Sequence, residues 1–396
     1  MKDASILVHA GRAPLRVGGP VNMPVHRAST IVSPTLEEFD ANEAGDAKFR
    51  NVCYGALGTE NAFALCEAVN SLEQGAGSMV TSSGLAACTQ ALLAFVGAGD
   101  HVLMPDSVYG PKRMFCETIL RRFGVETTFY DPRIGADIDI LIKANTRVIY
   151  TEAPGSLTFE MQDIPAIVKA AHAHSAIVIM DNTWAGPLYF KPLAAGVDIC
   201  VEAATKFIAG HSDLVMGIIT ARTDELYRRM RAFCVQMGEI ASPDDCYMAL
   251  RGLRTMKVRM QTQFEQALTL ARWLKSRPEV LQVLYPPLEG DPGHELWARD
   301  FSGGGSLFSI VLPKMEKKAV AAMLNGYRMF SIGASWGGYD SLVEHCHPQR
   351  TALNRISPVW NDDNCTLVRY AIGLEDVEDL KADLEEGFAR LNAARA

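Results

Sequence analysis

From about residue 59 to residue 252 the chain alternates helix-like stretches with short apolar runs, and this rhythm constrains the fold more than any other feature. Stretches such as NAFALCEAVNSLEQG and GLAACTQALLAFVGAGD are separated by SMVTSS (78–83), HVLMPD (101–106), RVIYTEAPG (147–155), AIVIMDN (176–182), DICVEAATK (198–206) and VMGIITAR (215–222). Runs that are apolar on consecutive residues suit strands covered on both faces. Strands of that kind alternating with helices predict an α/β fold with a mainly parallel sheet. On either side the pattern changes. Residues 1–58, with Pro24 and Pro34, read as an N-terminal arm that lies on something else. Residues 253–396 carry a long helix-like region (TMKVRMQTQFEQALTLARWLKS), two apolar runs (SLFSIVL, LVRYAIG) and a last amphipathic stretch, which together read as a smaller α+β domain.

Composition narrows the partners. A formal net charge of −8 over 396 residues argues against nucleic acid or an anionic membrane, since both reward clustered positive charge. No apolar stretch approaches the ~18 residues that span a bilayer. The start, MKDASILVHAGRAPLR, has no apolar core of signal-peptide length, so a cytoplasmic protein is expected. Nine scattered cysteines without a C-x-x-C pair fit small buried thiols in a reducing compartment. His345-Cys346-His347 could suggest a metal. Alternate residues of an extended segment point to opposite sides and no further ligand is evident nearby, so no metal is expected.

In open α/β sheets ligands bind beyond the carboxyl ends of the strands, and unusual polar residues collect there. Ser82, Ser83 and Gly84 follow one strand and open a helix, where free N–H groups and the helix dipole attract an anion. The plain alternative is an ordinary N-cap. Asp181 ends AIVIM and either caps the next turn or faces a cationic ring nitrogen. Tyr109 is a packing aromatic or a ring stacked on a planar ligand. Lys206, at the end of a buried strand beside Thr205, is the least ordinary of them. Apolar crowding lowers the proton affinity of its amine and makes it nucleophilic. An imine to an aldehyde cofactor explains all four together, with phosphate on the helix N-terminus, the ring under Tyr109, its nitrogen on Asp181 and the aldehyde on Lys206.

The sequence resembles the pyridoxal-phosphate enzymes of cysteine and methionine metabolism. TSSGLAA, GDHVLMPDSVYGP, FYDPRIGADI, TEAPGSLTFE, IMDNTWAGPL, EAATKFIAGHSD, RGLRTMKVRM, SWGGYDSL and AIGLEDVEDL carry the likeness over nearly the whole chain. The resemblance implies an aspartate-aminotransferase-like fold (fold type I) and a homotetramer of two active dimers. It implies Lys206 and Tyr109 as catalytic groups and pyridoxal 5'-phosphate as cofactor. Lys206, Asp181, Tyr109, Ser83, Gly84, Leu85, Thr205 and the neighbouring subunit's Tyr54 position would hold that cofactor. Arg369, Ser335, Trp336 and Tyr54 would border an amino-acid substrate. The activity it implies is carbon–sulfur β-elimination from cystathionine or another S-substituted cysteine. The alternative is racemisation or epimerisation of an aliphatic amino acid.

Five positions depart from the family pattern. Ala56 and Leu57 stand where arginines are usual, Met114 where an acid is usual, and Ala334 where a tyrosine is usual. Ala203 replaces a frequent serine. Lys112 and Arg113 are read either as compensating cations in the pocket or as a solvated surface pair.

Overall fold

The computed structural model describes residues 1–12, 19–45, 47–352 and 364–395. Seven strands form the first sheet: β1 (Gly77–Thr81), β2 (His101–Pro105), β3 (Glu126–Tyr130), β4 (Thr146–Glu152), β5 (Ile177–Asp181), β6 (Ile199–Ala203) and β7 (Gly217–Ala221). Their spatial order is β1-β7-β6-β5-β4-β2-β3. Strands β2 to β6 pair in parallel, and β7 runs antiparallel to both β1 and β6. A second, mostly antiparallel sheet has the order β10-β11-β12-β9-β8, from β8 (Gln282–Leu284), β9 (Leu307–Pro313), β10 (Ser331–Ile332), β11 (Leu342–Cys346) and β12 (Cys365–Ala371).

The apolar runs predicted as strands are buried because each serves two layers. In a strand, neighbouring side chains point to opposite faces. Leu103, Ile149, Val178 and Met180 enter one core that also takes Phe308, Ile310 and Leu312 of the second sheet. Val102, Met104, Val148, Tyr150 and Ile179 enter the core on the other face. The two sheets therefore share apolar packing. The long helix Met256–Lys275 contributes Ala267, Leu270, Ala271 and Leu274 to the same core. The sequence change expected near residue 253 falls between the helices Pro243–Leu253 and Met256–Lys275.

The parallel strands point their carboxyl ends the same way, so β1, β2, β4, β5 and β6 deliver the following loops to one rim. Ser83 sits there as the N-cap of the helix Gly84–Leu93, its hydroxyl accepting from Ala86 N at 3.0 Å. Asp181 is the last residue of β5, and Lys206 follows β6 by three residues. No helix among the described residues is long and apolar enough to cross a membrane. All nine cysteines are free thiols.

Candidate active site

Lys206 reaches the rim with its amine tucked under the second sheet. Its Nζ lies 2.5 Å from Ser335 Oγ and 5.3 Å from the centre of the Trp336 ring. Burial, and then the Arg369 guanidinium, push the amine down to about 8. Near neutral pH a useful fraction is thus unprotonated. Trp336 is itself held edge-on against Phe207. The loop carrying Ser335 and Trp336 comes very close to the Lys206 backbone. Gly337 sits at φ +83°, and a Cβ there would lie 3.1–3.2 Å from Lys206 carbonyl C and Cα. Ser335 is also in the left-handed region, at φ +79°. Backbone of that kind persists only where its surroundings hold it.

Arg369 lies opposite Glu344 in the β11–β12 ladder, and the two pair at 2.6 Å. Arg369 Nη2 also donates to Ser335 O at 3.1 Å. Lys206, Ser335, Trp336 and Arg369, all expected from the sequence, therefore form one contiguous group. Glu344 belongs to it and was not expected.

Asp181 closes the floor of the site. Its Oδ1 accepts from Thr183 N at 2.9 Å and its Oδ2 from Lys112 Nζ at 2.7 Å. Burial alone would raise this carboxyl. The Lys112 ammonium, its hydrogen bond and those from Thr183 outweigh burial and hold it below the usual range. Tyr109 stands at the N-cap of the helix Gly110–Phe115 and is 46% exposed, an aromatic open to a planar partner.

At the helix start the Gly84 and Leu85 amides take no acceptor among the described residues. Gly84 packs so closely on Ala203 that an added Cβ would meet the Ala203 Cβ at 2.6 Å. Two free N–H groups at a helix N-terminus above a side-chain-free shelf suit a phosphate. Ser83 Oγ is engaged as the cap, so what remains for an anion there is chiefly backbone.

Several expectations need correction or restatement. Lys112 and Arg113 are neither solvated nor turned toward a distal pocket; both are fully buried. Lys112 bridges Glu152 and Asp181, and Arg113 pairs with Asp106 and Glu117 while covering Phe129 at 3.8 Å. The reason is that acidic residues end β4 and β5 directly beneath that helix, a juxtaposition of residues far apart in the chain. Thr205 has its hydroxyl tied to Met216, donating to the carbonyl at 3.2 Å and accepting from the amide at 3.0 Å. An anion would have to compete for that donor. Tyr54 is 49% exposed and bridges Thr30 through its backbone, and no hydrogen bond, ion pair or ring contact joins it to Lys206. Ala56 and Leu57 line a surface cavity with Phe63, Cys66, Tyr227 and Arg231, not the Lys206 group. His345 and His347 stack edge to face at 4.4 Å, while Cys346 between them is buried.

Among the described residues, one group has metal-ligand proximity: Glu73, Cys200 and Glu202, all buried. Burial, then Glu73, holds Glu202 well above the usual carboxylate range, which keeps it protonated beside Glu73.

A description of Cys/Met metabolism PLP-dependent enzymes matches residues 4–389. This chain belongs to that family. Its members use pyridoxal phosphate, and the residues present fit it: free amides at a helix start, a depressed lysine amine, an open aromatic face and an ionised aspartate stand at one rim. The chain is 42% identical to the cystathionine β-lyase of Escherichia coli over 394 residues, covering 97% of this chain and 98% of that protein. It is also 40% identical to an L-alanine/L-glutamate racemase of Wolbachia pipientis over 400 residues, covering 99% and 98%. The cystathionine γ-synthase structure from Xanthomonas oryzae superposes with a TM-score of 0.89 at 30% identity, covering 100% of this chain and 99% of that one. The aspartate-aminotransferase-like fold of this enzyme family is thereby established for the chain.

Proposed function

We propose that the enzyme is a carbon–sulfur β-lyase, converting cystathionine or another S-substituted cysteine and water to a thiol, pyruvate and ammonia. The observation that carries this reading is the Lys206 amine, depressed to about 8 and set between Ser335 and the Arg369–Glu344 pair, above an ionised Asp181. The likeness to the E. coli lyase supports it.

Bound pyridoxal phosphate supplies an aldehyde that captures an amine and a ring that accepts charge from the α-carbon. The chain's residues do the rest. The Gly84 and Leu85 amides would hold the phosphate, with Ser83 and Thr205 beside them, and Tyr109 would offer its ring to the cofactor's planar ring. Asp181 favours a protonated ring nitrogen. Arg369 takes the substrate α-carboxylate in a two-pronged pair, with Ser335 and Trp336 bordering it. Lys206 Nζ removes the α-proton, and the Tyr109 hydroxyl assists its transfer. A second copy of the chain supplies Tyr54 to phosphate and substrate, within a homotetramer. The exposed arm position of Tyr54 supports this.

The lyase reading is tested by assaying thiol and pyruvate from a panel of S-substituted cysteines, with Lys206→Ala as control. Pyruvate from at least one substrate is expected; none from any would reject the reading. Racemisation is the second reading, favoured by the Wolbachia relative and by the apolar Met114, 63% exposed at the rim helix. Solvent deuterium appearing in the opposite enantiomer of an aliphatic amino acid, without pyruvate, would establish it instead.

A further inference from the structure

Among the described residues, Lys112 is the one fully buried lysine that the reaction outlined above leaves without a role. It stands in the first turn of the helix that Tyr109 caps, with its side chain closed to solvent. An ammonium has three N–H donors. Here each has an acceptor: Glu152 Oε2 at 2.6 Å, Asp181 Oδ2 at 2.7 Å and the Tyr150 hydroxyl at 3.3 Å. The Tyr150 ring also lies 4.7 Å below the charge. Geometry this complete is what a buried cation needs to persist.

The two carboxylates differ in what they have left. Glu152 is the more enclosed, with 9% of its side chain open: Oε1 accepts from Ser156 Oγ at 2.6 Å, and Oε2 from Lys112 and from Tyr109 N at 3.2 Å. Asp181 keeps 15% of its side chain open. Of the other titratable neighbours, the Arg350 guanidinium faces the Glu152 side and the Lys206 amine the Asp181 side, while the thiol and hydroxyls around Lys112 are neutral near pH 7. Burial pushes the Cys88 thiol up to about 12, and burial holds the Tyr150 and Tyr109 hydroxyls above their ordinary range. Within the directly paired triad, one cation and two anions leave −1, and the more open of the two carboxylates is Asp181. Lys206, with Arg369 and Glu344, stands across the site from it.

We propose that Lys112 is a positioning residue for the ring-nitrogen end of the cofactor: its ammonium neutralises Glu152 and fixes Asp181, so that the cluster presents one net negative charge, the amount a single protonated ring nitrogen cancels. This rests on the pyridoxal-phosphate reading of the site and names a residue that tunes it. Two bare carboxylates would overcompensate the ring and repel each other. The bridging ammonium instead ties Tyr109, through Glu152, to the same point as Asp181, so the stacking ring and the ring-nitrogen partner share one anchor.

The test is a pH titration of the bound cofactor's absorbance between pH 6 and pH 10 in three reconstituted proteins: the natural chain, Lys112→Met, and the double variant Lys112→Met/Glu152→Gln. Removing the cation leaves the site more negative, which favours the protonated form of the bound chromophore. The transition in Lys112→Met is expected to move up by about one pH unit. The double variant removes one charge of each sign, and its transition is expected to return to within a few tenths of a unit of the natural value. Affinity for pyridoxal phosphate, read by dialysis, is expected to fall at least tenfold in the single variant and to recover in part in the double. A single variant titrating at the natural pH overturns the role of Lys112 while leaving the cofactor site standing. Equal shifts in both variants overturn it too, because charge balance would then be irrelevant. A natural chain that takes up no pyridoxal phosphate overturns the underlying reading and this proposal together.

Discussion

Replacing Lys206 with methionine in the cofactor-free protein is expected to raise stability at pH 7 relative to pH 10, although it destroys activity. The amine titrates at about 8 in the folded chain against 10.5 ordinarily, chiefly because burial disfavours its charge. A lysine depressed on folding costs stability wherever it must be protonated. Below pH 8 both folded and unfolded chains carry the proton, and the full cost of about 3 kcal/mol is present. Between pH 8 and 10.5 the unfolded chain holds more protons than the folded one, so stability rises with pH. By pH 10 only about 1 kcal/mol of the cost remains. The methionine variant lacks this dependence. Its packing change and the lost Ser335 contact enter alike at both pH values, so the difference of differences isolates the amine. The assay is paired thermal unfolding of both apo proteins at pH 7 and pH 10. A chain of this length moves by about 1–2 °C per kcal/mol. The gap between variant and parent is thus expected to shift by roughly 2–5 °C in favour of methionine at pH 7. A gap that is the same at both pH values would refute the claim that the amine is held at depressed proton affinity.

Other consequences are equally direct. Gly84→Ala puts a methyl 2.6 Å from the Ala203 Cβ and should lift the helix start from the sheet; pyridoxal phosphate affinity is expected to fall at least tenfold, with about 1–3 kcal/mol of stability, measured by dialysis and melting. Glu344→Gln frees Arg369 from a partner at 2.6 Å. A partly exposed pair of this kind is worth about 0.2–1 kcal/mol, so KM is expected to drop by up to about fivefold at constant kcat in steady-state kinetics. Tyr109→Phe keeps the stacking face and removes the hydroxyl; kcat is expected to fall at least tenfold, as is typical for a lost proton-transfer group, while cofactor affinity by dialysis changes little.

How far the sequence could be read follows the range of the interactions involved. The central strands were legible because burial on both faces forces consecutive apolar residues, as in IVIM of β5. β3 was not: ETTFY lies at the sheet edge, where polar residues are tolerated. β8 and β10 have three and two residues, too short for any period. Lys206, Asp181, Tyr109 and Arg369 could be found because each stands at a strand end or in a quotable motif. Lys112 could not, since its partners lie 40 and 69 residues further along. Glu152 carried the same sign as Asp181, an acid ending a buried strand, and that sign was available in RVIYTEAPG. Glu344 became visible only through the β11–β12 register, which sets it across from Arg369. The Thr205–Met216 tie likewise depends on a strand reversal that spacing does not reveal.

That reversal has a consequence for how the chain can be rearranged. Because β7 runs against β6, the segment 204–216 leaves and re-enters the sheet on the same side, stapled at both ends and again through Thr205. New termini opened within it would spare every strand pairing yet release the amine from one of its two tethers. Permuted chains cut there should fold and still fail to hold their reactive nitrogen in place, whereas cuts at the opposite edge of the sheet should keep it.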